Sequence, residues 1–138
     1  MGFLSSLFEG GGKSGKKLIE ASKSGDTKTV KSLLATSADT NARDQHGWTA
    51  LMHASWHGYA GVAELLLNHG AQVNATDKNG WTALMRASEK GHFRVTVMLL
   101  NHGAEVNVKD NTGGTALLRA SGNRHSLVAE LLKRHGAS

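Results

Sequence analysis

His53 and His57 stand four residues apart in a stretch that reads as helix, so both imidazoles could face one divalent metal ion. A working site would need a third donor, and the chain order offers none: no Glu follows His53 as the metalloprotease arrangement requires. Gly10-Gly11-Gly12-Lys13-Ser14-Gly15-Lys16 satisfies the first seven positions of a phosphate-binding loop. The eighth, which should be Ser or Thr to hold magnesium, is Lys17, and no strand precedes the run to aim its amides. His69, His102 and His135 recur at 33-residue spacing, each just before a glycine. Neighbouring copies would lie about 10 Å apart, too far to share an ion, and they read as helix C-terminal residues whose imidazoles complement the dipole. No Ser/His/Asp set, carboxylate pair or nucleophilic cysteine is suggested. The residues point away from an enzyme, and from any metal, cofactor or small-molecule substrate.

Binding chemistry is better represented. Trp48, Trp56 and Trp81 are the only tryptophans, and His53, Arg86 and Arg119 form a column at 33-residue spacing. His57, Lys78 and Lys90 fall at neighbouring positions. Tryptophan and arginine are the residues most enriched where binding energy concentrates in protein interfaces. These nine residues are the candidate partner-binding set, although Trp48 and Trp81 could instead pack along the turns of adjacent units. Truncating Trp56 and Arg86 together is expected to weaken binding and leave melting nearly unchanged.

The elements that must carry this set are legible in a repeat. Asp-x-x-Gly-x-Thr-Ala-Leu opens at Asp44, Asp77 and Asp110, and residues 44–76 and 77–109 are identical at 19 of 33 positions. Internal similarity of this length marks a supersecondary unit that is stabilised by stacking on copies of itself. Within one unit, Thr49 is a good N-cap for a short helix that Gly58 ends, and a second helix from about Ala60 to His69 carries Val62, Leu65, Leu66 and Leu67. An extended stretch with strong turn chemistry, Ala71 to Gly80, leads into the next copy. Leu51, Ala54, Ser55, Val62, Leu66 and Ala71 recur as Leu84, Ala87, Ser88, Val95, Leu99 and Ala104, then as Leu117, Ala120, Ser121, Val128, Leu132 and Ala137.

This pattern closely resembles the ankyrin repeat, over about residues 16–138. The resemblance implies an all-α solenoid of stacked helix-turn-helix units with projecting β-turn or hairpin loops and a concave protein-binding face. Four repeats are expected, at about 16–43, 44–76, 77–109 and 110–138, the first a degenerate cap with Leu18, Ala21, Val30, Leu33 and Leu34 in register. The family's proline is Ala50, Ala83 and Ala116 here. Its histidine becomes Met52, Met85 and Leu118, so a side-chain-to-turn hydrogen bond should give way to apolar packing. Gly61 falls inside a helix, and Arg124 replaces the glycine of positions 58 and 91, which should strain or reshape the last turn.

Residues 1–15 read as a separate segment, an apolar helix face of Phe3, Leu4, Leu7 and Phe8 followed by a flexible Gly/Lys linker. That face could cap the first repeat, meet a membrane, or pair with the uncapped last repeat of another copy. Self-assembly end to end into a filament is therefore the alternative to partner binding. Net charge is +5, spread as on an ordinary surface, which does not call for a nucleic-acid partner. The chain contains no cysteine or proline, no apolar run long enough for a membrane span and no secretory signal, so a cytoplasmic setting is expected.

Overall fold

The computed structural model describes residues 2–138, with side chains from residue 12 onward. Among the described residues eight helices follow one another: α1 Gly2–Ser24, α2 Thr27–Ala35, α3 Ala50–His57, α4 Ala60–Asn68, α5 Ala83–Lys90, α6 Phe93–Asn101, α7 Ala116–Gly122 and α8 Ser126–Arg134. Odd-numbered helices stack in one layer and even-numbered helices in a second, each pair being one repeat. Among the described residues the only β-like feature is an isolated bridge between Arg43 and Thr49.

The local chemistry sets these boundaries. The hydroxyls of Thr49, Thr82 and Thr115 accept the backbone N–H groups of Met52, Met85 and Leu118, satisfying donors that the first turn of a helix otherwise leaves orphaned. Gly58 and Gly91 end α3 and α5 in the left-handed region, with φ of 77° and 71°. A second constraint reserves these positions for glycine: a Cβ on Gly58 would stand 2.6 Å from Nδ1 of His92 in the next repeat. Arg124 has the same left-handed conformation, φ 63°, and α7 stops at Gly122 with Asn123 as its cap. The reshaped last turn expected from the sequence is present. An arginine side chain fits there because no described repeat lies beyond to present a ring.

Leu18, Val30, Leu51, Val62, Leu66, Leu84, Val95, Leu99, Val128 and Leu132 are almost fully buried along the line between the layers. Met52 and Met85 are buried as well, matching the apolar packing anticipated for them, whereas Leu118, expected to pack in the same way, is exposed. A second set of contacts joins the turns. Asn41, Asn74 and Asn107 each bridge to the following repeat, accepting the backbone N–H of Gln72, Glu105 or Ser138 at 2.8–3.1 Å. Their amide groups donate to the carbonyls of Gly70, Gly103 and Gly136.

One expectation is corrected here. Residues 12–15, read as linker, continue α1 without a break. Gly15 is buried, and a Cβ on it would lie 2.7 Å from that of Ala42, so the glycine serves close helix–turn approach rather than flexibility. Phe3, Leu4, Leu7 and Phe8 lie outside the residues whose side chains are described.

Two substitutions probe this architecture in opposite directions. Leu99→Ala opens a cavity between repeats and is expected to cost about 2–5 kcal/mol. Gly61 is helical and exposed, with open space where a Cβ would go, so Gly61→Ala should add about 1 kcal/mol. Denaturant unfolding of both variants checks the pair.

Candidate functional site

The turn aspartates organise the face. In each of the last three repeats one carboxylate oxygen accepts two backbone N–H groups of its own turn: His46 and Trp48 on Asp44, Asn79 and Trp81 on Asp77, Thr112 and Gly114 on Asp110. The other oxygen reaches the base nine residues ahead. His53 Nε2 lies 2.8 Å from Asp44, and Arg86 Nη2 2.5 Å from Asp77. Arg119 pairs with Asp110 in the same way. The column of bases is thus bound from within the protein. Its members also supply the side-chain-to-turn bond that the methionines at 52 and 85 had seemed to remove.

Trp48 and Trp81 interleave with these bases. The Arg86 guanidinium carbon sits 4.0 Å from the Trp48 ring centre and 4.1 Å from that of Trp81, so both of its faces are covered. Arg119 lies 4.3 Å from the other side of Trp81, and the His53 ring 4.7 Å from Trp48. The order along the stack is His53, Trp48, Arg86, Trp81, Arg119. Each tryptophan joins a base of its own repeat to one of the next. Cations over aromatic faces are attracted by the ring quadrupole, and more strongly where water is excluded.

The remaining candidates line this ladder. Trp56 packs edge-on against Trp48 at 6.0 Å, and Lys90 Nζ stands 4.3 Å over the Trp56 ring. His57 is exposed and stacks on Tyr59 at 5.3 Å. Lys78 is exposed at the tip of the third repeat's turn, where its carbonyl accepts from Asn111. Trp48, Trp56 and Trp81 are all half-buried. Arg86 is only 8% exposed, which corrects the expectation that truncating it spares the fold. Such a change would strand the Asp77 carboxylate, whose side chain is 1% exposed.

Five other histidines bond to backbone carbonyls. His69, His102 and His135 each donate Nδ1–H to the carbonyl four residues back, closing the ends of α4, α6 and α8. His92 and His125, which the sequence reading passed over, bond through Nε2 to the carbonyls of Trp56 and Glu89 in the preceding repeat. Among the described residues no three metal-capable side chains converge, and no helix is long and apolar enough to cross a membrane. The glycine–lysine run is helical from residue 12 to Lys16, a geometry that does not wrap a phosphate.

Burial is the largest influence on His53 and holds its pKa below the ordinary 6.5, with Asp44 opposing. On Asp44 and Asp110 burial acts in the opposite sense and would raise the pKa, but the hydrogen bonds they accept outweigh it and keep both below 3.8. The folded chain therefore binds a proton at His53 less readily than the unfolded chain does. Its contribution is complete above pH 6.5 and is lost as pH falls through the lowered value. The carboxylates add a second loss, starting below pH 3.8 and ending as pH falls through their folded-state values. Thermal melting across pH should show both stages, and His53→Arg should remove the first. Arg86→Ala should cost about 3 kcal/mol at neutral pH, read by denaturant unfolding.

Comparison with known proteins agrees with this geometry. A family model described as ankyrin repeats (3 copies) matches residues 10–77, and a second, ankyrin repeats (many copies), matches residues 66–120. A search of curated proteins found no match. Ankyrin repeats generally mediate protein–protein interaction, typically as non-catalytic modules. With four stacked helix pairs and family matches that together span residues 10–120, the chain belongs to the ankyrin-repeat family.

Proposed function

We propose that the chain is a non-catalytic module that binds a segment of a partner protein along the face built by α3, α5, α7 and the turns that precede them. The observation that carries this reading is how the face divides its charges. All three turn carboxylates are consumed by the ladder, whereas Lys78, Lys90 and His57 stay exposed beside half-buried tryptophans. Such a surface suits a segment that is acidic and carries apolar side chains. The ladder also holds its aromatic rings in place before binding, which lowers the ordering cost of association.

Selection from a displayed library of protein segments tests the proposal. Acidic segments containing apolar residues should be enriched. Trp56→Ala with Lys90→Ala should then weaken their binding about 30-fold while helical content and melting stay unchanged. Enrichment of basic segments, or affinity indifferent to both changes, would overturn it.

The alternative is end-to-end self-assembly through Phe3, Leu4, Leu7, Phe8 and the last repeat. Leu118 favours it, being 59% exposed where Met52 and Met85 are 1% exposed. Charge opposes it. Lys13, Lys16, Lys17 and Lys23 are exposed on α1, and Arg119, Arg124, Lys133 and Arg134 make the last repeat basic too. Partner binding is therefore the preferred reading. A solution mass that rises with concentration, and stops rising when the four apolar residues become serine, would reverse that preference.

A further inference from the structure

Among the described residues the first repeat lacks the turn that projects from the other three. Gly11 and Gly15 stand 33 residues before Asp44 and Trp48, and residues 12–15 are helix. The turn of the second repeat is therefore uncovered on that side, and a groove of about 550 Å³ opens between it and α1. Lys16, Glu20 and Lys23 line it from α1, and Arg43, Asp44 and His46 line it from the turn. His53 lines it too, so the groove begins where the ladder does.

We propose that this groove receives an acidic side chain of the partner segment while the segment's apolar residues lie on Trp56. The inference rests on the partner-binding reading of the same face. Both acids in the groove are already engaged. Asp44 accepts two turn amides and meets His53 at 2.8 Å, and Glu20 lies 3.7 Å from Lys23. Lys16 and Arg43 pair with no carboxylate among the described residues, so the uncompensated charges here are both positive. Arg43 is also held in place, donating through Nη1 to the carbonyls of Gly47 and Thr76. Burial is the main reason that His53 titrates low, and the charge of Lys23 pushes the same way, so a positive field reaches the ring. Trp56 follows His53 by three residues, about one turn of α3, which sets the apolar and the acidic positions of a bound segment side by side. Glu20, which occupies the column position 33 residues before His53, opposes an anionic guest and gives the test its sign.

The test uses the full chain and three capped nonapeptides with leucines at the centre. One carries glutamates at both ends; the others carry glutamine in their place at one end or at the other. The ring Hε1 resonances of His46 and His53 report on the groove, and the indole N–H of Trp56 reports on the face beside it. The doubly acidic peptide should shift all three signals, and one of the half-neutral peptides should shift Trp56 alone. Lys16→Gln should weaken the doubly acidic peptide about three-fold, and Glu20→Gln should strengthen it by about the same factor. Both residues are exposed, and both effects should fade at high salt. The opposite pair of changes would mean that the groove takes a cation and would overturn the inference. Shifts at Trp56 with His46 and His53 unmoved by every peptide would overturn it too, while leaving the binding face standing. No shift at any of the three would remove both.

Discussion

Each turn carboxylate divides its two oxygens between the loop that carries it and the helix that follows. One oxygen gathers the loop's amides, and the other holds a base nine residues on. The first contact reinforces a turn that backbone bonds also close, from Asp77 N–H to the Trp81 carbonyl and from Gly80 N–H to that of Asp77. The second adds to the threonine cap a further tie between turn and helix. The cost of burying the acid is offset by three or more charge-assisted bonds, an arrangement in which removing any one partner is more damaging than the pair's net worth suggests.

That tie is local to a repeat, and the tryptophans make it continuous. Because Trp48 and Trp81 each lie between bases of successive repeats, the orientation of one turn is passed to the next. The asparagine bridges do the same elsewhere in the turns with neutral hydrogen bonds. The stack is thus tied at its turns as well as through its leucine core. Both ends of the ladder depart from its middle. His53 begins it as a base whose pKa burial holds below the ordinary 6.5, and Gly114 ends it without a ring.

The repeat architecture was readable because its determinants are local and periodic: a threonine cap, a glycine stop and an apolar stripe, recurring every 33 residues. The ladder was harder to see. Its acid and base are nine residues apart and meet only after a turn and a helix start have formed, so the Met52 and Met85 substitutions suggested a lost hydrogen bond rather than a relocated one. A signal was available, since a base follows each of Asp44, Asp77 and Asp110 at the same distance. The nine candidate residues were recognised by type, yet their division into internally bound and outward-facing members needed geometry. Arg86 belongs to the first group, and Lys78, His57 and Lys90 to the second. Gly15 was misread for a related reason: glycine near lysines has a linker's composition, and only its contact with Ala42 reveals a packing role.

The contact between Trp48 and Arg86 joins residues of different repeats, and its coupling energy measures how firmly one turn holds the next. A double-mutant cycle with Trp48→Leu and Arg86→Leu, followed by denaturant unfolding, isolates it. The ladder predicts a coupling of about 1 kcal/mol or more in favour of the native pair. Additive losses, with coupling near zero, would show that the rings and bases merely lie side by side and that the leucine core alone holds the repeats in register.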